Sequence, residues 1–383
     1  MTSTPRAFSS SALLLSASLA VALLCLAAAL TRTSAVQAEP RSASTAPTFN
    51  HQAAAAYLDQ REQWWQQWAP AQKEHGTVCI SCHTTLPYAM ARPALGSATA
   101  PTPSEKVLLT SVETRVANWS EMIPFYSDAR NGAGKTAQSH ATEAVLNAAI
   151  LASRDARLHT VRPITQTAFD NAWALQQPDG PDAGGWIWQD FHLGPWESGE
   201  STYQGAALLL IQALNLPKEF AANPANHQHL EQLTQYLRRE YPTQPVLNQL
   251  YILWASGRQP DLLTPADRKT LLSTLAPLEQ PDGGWRTTSL ATVTPRERAD
   301  KSAAPTESDG YATALIVLAL EASGSNVPPL TRGLAWLTQH QQSDGTWKAA
   351  SLNKKRDPES DAYLFMQDAA TAYAVLALEQ AKT

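Results

Sequence analysis

Cysteine is scarce in this chain, with three residues in 383 positions. That is too few for the disulfide framework that stabilises small exported folds, so stability has to come from packing. Charge is thin as well, at 16% Asp, Glu, Lys and Arg with a net charge of -5. The densest basic run, Lys354-Lys355-Arg356, is followed at once by Asp357 and Glu359. No block of positive charge could therefore neutralise a phosphate backbone, and nucleic acid is excluded as a partner. Runs of alternating β-branched residues are almost missing too, which leaves little material for a sheet. In their place, apolar residues recur three and four apart over most of the chain, the period of an all-α protein.

The first 38 residues read as an export leader. Arg6 precedes an apolar stretch over 12–30, and Val36-Gln37-Ala38 supplies small residues for cleavage. A stretch of 19 residues also reaches the lower range of a membrane span, so an uncleaved anchor is the alternative. Leu23 and Leu24 ahead of Cys25 do not suit lipidation. The expectation is a periplasmic or secreted protein, membrane-associated only if the leader is retained. Loss of the leader removes Arg6 and Arg32 and takes the net charge to -7.

With Cys25 gone, Cys79 and Cys82 remain, and they stand in Cys79-Ile80-Ser81-Cys82-His83. Two thiols three residues apart on a helical turn can add to the two vinyl groups of a haem, and the adjacent imidazole can reach its iron. The expectation is one covalent haem c held by Cys79, Cys82 and His83, with His83 as proximal ligand. Met90 is the nearest thioether for the sixth position, although Pro87 restricts the path to the far haem face. His51, His75, His140, His159 and His192 are alternatives, as is an open site. Trp64, Trp65 and Trp68 offer rings for a porphyrin pocket or for ordinary core packing. The competing readings of the thiol pair are a redox dithiol, which lacks a βαβ frame, a structural zinc, which lacks a second Cys pair, and a plain disulfide.

A Pro, Ala, Gly, Ser and Thr stretch over 91–103 separates this segment from the rest, so a haem-binding segment at 48–100 and a second domain at 104–383 are expected. The second part repeats a turn. Gln176-Gln177-Pro178-Asp179-Gly180 leads to Gly185-Trp186, Gln280-Pro281-Asp282-Gly283-Gly284-Trp285 does so again, and Gln341-Gln342-Ser343-Asp344-Gly345-Thr346-Trp347 completes a third copy. Each copy follows an amphipathic helix and precedes a strongly apolar one, so the unit is a helix pair whose joint the Trp covers. Two further pairs, over 106–153 and 229–256, bring the total to about five hairpins. The alternation predicts amphipathic helices outside, apolar helices inside, and a cavity facing the loops at one end.

These turns resemble the repeat of squalene-hopene cyclases and protein prenyltransferases, over 106–383. The resemblance implies an α/α toroid. For a cyclase it further implies an Asp-x-Asp-Asp proton donor, whose closest match is Glu307-Ser308-Asp309-Gly310, one acid short, and a second toroid that this chain lacks. For a prenyltransferase it implies a catalytic zinc on Asp, Cys and His, and no Cys remains outside the motif at 79–83. Asp309 and Glu307 are thus the candidate catalytic acids. Glu143, Glu200, Asp309 and Asp368 all fall near inner-helix starts and could share one mouth, where the helix dipole also favours acids. The leading expectation is an exported monohaem electron carrier built on a toroid, with a redox protein or a small hydrophobic ligand as partner. The alternatives are a haem enzyme acting on a hydrophobic, isoprenoid-like substrate, and a degenerate terpene cyclase.

Overall fold

Proline at the first helical position has its φ preset and lacks only an N–H that would be unsatisfied anyway. In the computed structural model, which describes residues 48–96, 100–291 and 297–382, five amphipathic helices begin this way, at Pro103, Pro163, Pro224, Pro265 and Pro328. The helices in chain order are α1 (His51–Gln67), α2 (Thr85–Ala91), α3 (Pro103–Ala117), α4 (Asp128–Asn131), α5 (Lys135–Arg157), α6 (Pro163–Trp173), α7 (Ser201–Asn215), α8 (Lys218–Ala222), α9 (Pro224–Glu240), α10 (Val246–Ala255), α11 (Pro265–Leu278), α12 (Gly310–Ala322), α13 (Pro328–His340) and α14 (Asp361–Gln380). No strand occurs among the described residues, only the isolated bridges Gln72 with Val78 and Leu193 with Glu197. No described helix is long and apolar enough to cross a membrane. The leader, with its apolar stretch and Cys25, lies outside the described residues.

Six helices close an inner ring, each packed on the next: α5 on α7, α7 on α10, α10 on α12, α12 on α14, α14 on α2, and α2 back on α5. Their sequences explain the position. In α12 every residue from Gly310 to Leu320 is buried, which a helix surrounded on all sides requires. Outside stand α1, α3, α6, α9, α11 and α13. In α13 only Gly333, Trp336 and Leu337 are buried, a single stripe. The fold is an α/α toroid of six hairpins.

One hairpin more than expected arises because the segment carrying Cys79–His83 is no separate domain. The described residues form a single unit, in which α1 and α2 supply the first hairpin and close the ring. The expected boundary near 100 therefore does not divide the structure. Closure is made by contacts between the two ends of the chain. Asn50 N donates to Gln341 Oε1 at 2.7 Å, and Gln341 Nε2 donates back to Asn50 O at 3.0 Å. Arg61 of α1 donates through Nε to Asp368 of α14 at 2.9 Å and through Nη1 to Asp361 at 3.0 Å. Gly345, at φ +90°, presses on α1 so closely that a Cβ would lie 2.2 Å from the Ala53 carbonyl carbon; only glycine meets both demands.

The repeated Trp is the staple of each joint. Trp186, Trp285 and Trp347 are fully buried, and each indole N–H donates to a carbonyl near the end of its own outer helix: Ala172 at 2.7 Å, Leu275 at 3.0 Å and Leu337 at 2.8 Å. The backbone N–H of Trp285 and of Trp347 donates to a Thr hydroxyl on the following inner helix, Thr313 at 3.0 Å and Thr371 at 3.2 Å. One residue thus ties the outer helix to the inner one.

Across the middle of the ring runs a buried polar layer. Gln204 Nε2 donates to the hydroxyls of Tyr251 at 2.7 Å and Tyr311 at 3.0 Å, and the Tyr251 hydroxyl lies 2.8 Å from that of Tyr373. These four residues come from four different inner helices and satisfy one another, as buried polar groups must. The layer leaves a cavity at each end of the ring, one at the N-terminal ends of the inner helices and one at their C-terminal ends.

Candidate functional site

The cavity at the N-terminal end has a volume of about 260 Å³ and is walled mainly by rings. Trp65 comes from the last turn of α1, and Trp68 lies just beyond it. Phe125 stacks near both, at centroid distances of 6.5 and 6.3 Å. Trp196 and Phe365 complete the wall from the loop before α7 and from the second turn of α14. Local chemistry fixes each part. The Gln72–Val78 bridge and the bond from Cys79 N to Ala71 O at 2.9 Å fold the chain back under α1. Ser81 Oγ accepts from Thr84 N and Thr85 N and so starts α2. Trp65 Nε1 donates to Cys79 O at 2.6 Å, and Asn353 pins the loop carrying Trp196 by exchanging bonds with Gly194 at 3.0 and 2.8 Å.

Cys79, Cys82 and His83 all belong to this wall. The imidazole of His83 lies face to face on Phe365, with centroids 3.8 Å apart and planes 22° off parallel. Trp65 and Trp196 stand 5.6 and 5.8 Å away. Its Nδ1 is 2.9 Å from the Thr84 hydroxyl, which in turn donates to Asp368 at 2.7 Å. Burial pushes the His83 pKa down to about 3, so the ring is neutral at ordinary pH. Burial pushes both thiols up, which keeps them protonated and unreactive. Met90 points elsewhere: it lines the opposite cavity, where Gln212 Nε2 meets its Sδ at 3.3 Å. His83 and Met90 therefore open onto different cavities, at opposite ends of α2.

Among the acids, Glu143 lines the cavity but is bound by the fully buried guanidinium of Arg115, through Nε and through Nη2 at 3.0 Å, while Arg115 Nη1 donates to Thr77 at 2.9 Å. Its charge is matched by a structural partner. Glu197, which the sequence did not single out, is the second cavity acid. It has no Arg partner among the described residues, accepts from the Tyr126 hydroxyl at 3.1 Å, and burial raises its pKa from the usual carboxylate value, while Tyr126 and Lys135 pull the other way. Gln189 is the other residue that sequence reasoning missed. Its backbone N–H donates to Thr142 at 2.9 Å, but both its amide Nε2 and Oε1 are buried without a partner among the described residues. A wholly unpaired amide in a cavity wall costs stability unless something polar meets it.

The remaining candidate acids stand away from this cavity. Asp309 caps α12: it accepts from Ala312 N at 2.9 Å, from Thr287 N at 2.6 Å and from the Thr287 hydroxyl at 2.7 Å. Glu307 and Glu200 are exposed. Asp368 is committed to Arg61, Tyr57 and Thr84 in the ring closure. The expected shared mouth of four acids therefore reduces to Glu143, because capping and ring closure occupy Asp309 and Asp368.

Residues 241–383, from just before α10 to the end, match the family model of the squalene-hopene cyclase C-terminal domain. No curated protein matches. A solved glycosidase variant is 12% identical to this chain and covers 85% of it and 98% of itself, with a TM-score of 0.47. The family match and the geometry together correct the expectation of a haem c electron carrier. The matched family model is that of a cyclase domain and not of a cytochrome. Among the described residues no group of three or more His, Cys, Asp or Glu side chains is placed to hold a metal ion. Cys79, Cys82 and His83 are wall residues of an aromatic cavity.

Proposed function

We propose that this chain takes a small, mainly apolar molecule with a single oxygen function, isoprenoid-like in class, into the aromatic cavity of a terpene-cyclase-like toroid that lacks the family's multiple-acid initiation motif. In the same proposal the leader over 1–38 sends the protein out of the cytoplasm. The observation that carries the reading is Gln189: a buried, unpartnered amide in a wall otherwise built from Trp65, Trp68, Phe125, Trp196 and Phe365. Rings supply contact area for an apolar body, and the amide supplies both a donor and an acceptor for one hydroxyl or carbonyl. A volume of about 260 Å³ falls just below the roughly 300–1,000 Å³ typical of ligand pockets. The occupant is therefore shorter than a triterpene. Glu197, whose pKa burial raises, places a second polar group, a carboxyl, beside it.

Farnesol and the matching hydrocarbon farnesene, titrated into the full chain and followed by tryptophan fluorescence, test this. The alcohol should bind more tightly. Gln189→Leu should weaken farnesol by about tenfold, the worth of roughly one hydrogen bond, and should strengthen farnesene by removing an amide that the hydrocarbon leaves unpaired. Equal affinities for the two ligands in both proteins, or no binding at all, would refute the proposal.

A further inference from the structure

At the other end of the ring the C-termini of α5, α7, α10, α12 and α14 surround a cavity of about 850 Å³. Aligned peptide dipoles give each helix C-terminus a partial negative charge, which attracts cations and disfavours anions, multiply charged ones most. Among the described residues no acid lines the cavity, whereas Arg157 and Arg258 do. Dipole compensation accounts for a cation at such a place. It does not account for the state of Arg157. One of its terminal nitrogens, Nη2, donates to Met90 O, but Nη1 is buried with no partner among the described residues. Burial pulls the guanidinium down to about 10, so it stays charged at neutral pH. Glu105, the carboxylate whose field it feels most, already accepts from Thr102 N at 2.8 Å in the cap of α3. A charged nitrogen that is neither solvated nor paired is costly. Beside it the wall is apolar, formed by Ile211, Leu216, Trp254 and Leu376, with the exposed Arg258 at the rim.

We infer that this second cavity binds a monocarboxylate with an apolar tail, the carboxylate accepting from Arg157 Nη1 and the tail lying against Ile211, Trp254 and Leu376. A guanidinium N–H matches a carboxylate oxygen in a charge-assisted bond. One negative charge is what a single buried cation among helix C-termini tolerates; a phosphate dianion would meet the repulsion of five of them. The site is separate from the aromatic cavity, because the Gln204, Tyr251, Tyr311 and Tyr373 layer stands between the two.

Decanoate, decanol and inorganic phosphate, titrated calorimetrically into the full chain with excess farnesol filling the aromatic cavity, read this directly. Decanoate should bind at least tenfold more tightly than decanol, which has the same tail and no charge, and phosphate should not compete with it. Arg157→Gln should weaken decanoate by about 10- to 100-fold, leave decanol unchanged and leave farnesol binding at the opposite end unchanged. Equal affinity for decanoate and decanol in the unaltered protein overturns the inference without any variant having to fold. So does effective competition by phosphate, or a decanoate affinity that ignores Arg157→Gln.

Discussion

Trp285→Ala should lower the unfolding free energy by about 3–5 kcal/mol, the range for removing a large aromatic from a packed core. The indole is fully buried, its N–H is the partner of the Leu275 carbonyl at the end of α11, and its ring fills the gap left by Gly333 of α13, where a Cβ would lie 3.3 Å from it. Alanine leaves a cavity between three helices and an unpaired carbonyl. Trp285→Phe keeps most of the volume and loses chiefly the hydrogen bond, so about 1–2 kcal/mol is expected. Urea unfolding followed by two probes, fluorescence and circular dichroism, measures both and checks that the transition is two-state. Equal losses for the two variants would mean that the staple acts through its hydrogen bond alone.

The second large effect depends on pH. Glu62 of α1 is almost completely buried, and its Oε1 accepts from Gln66 at 2.9 Å. Burial pushes its pKa up to about 8. A carboxyl that binds its proton more tightly when folded than when unfolded makes the fold less stable as pH rises between the two pKa values. From pH 4.5 to pH 8 the loss is on the order of 4 kcal/mol. Glu62→Gln removes it, so the variant should match the parent near pH 4 and exceed it by that margin near pH 8. His83 acts with the opposite sign: held near 3 by burial, it costs stability as pH falls below the ordinary imidazole range, in both proteins alike. Glu321, pushed up to about 7, leaves a residual alkaline slope in the variant. Denaturant midpoints at pH 4, 6 and 8 decide the matter, and a difference between variant and parent that stays constant with pH would contradict the assignment.

The repeated turn makes the toroid legible in the sequence. An Asp-Gly reversal followed by Trp can tie an outer helix to an inner one through a single residue, and Trp186, Trp285 and Trp347 do so. The prolines at 103, 163, 224, 265 and 328 carry a second record of the ring, since each opens an outer helix. The sixth hairpin was hidden for a physical reason. It lacks the Asp-Gly-Trp turn, and its partner in the ring is α14, some 300 positions away, so its pairing through Arg61 and Asp368 has no local signature. The motif at 79–83 carried the strongest local signal and pointed to haem. The fold gave those residues a different setting, with His83 against Phe365 and Met90 at the far end of α2. Asp309 sits at an inner-helix start, as the spacing indicated, but its oxygens are used to cap the helix. Gln189 and Glu197 lie in an irregular loop without periodicity or motif, and only the folded chain brings them to the aromatic wall.

Whether that wall is the binding surface is tested most directly by photolabelling the full chain with a benzophenone-bearing isoprenoid alcohol and mapping the modified peptides. The account predicts adducts on peptides covering 65–68, 125–126, 189–197 and 362–366, with farnesol in excess suppressing them. Adducts concentrated on 211–217, 254–258 and 376–380, or scattered over the surface and indifferent to farnesol, would contradict it.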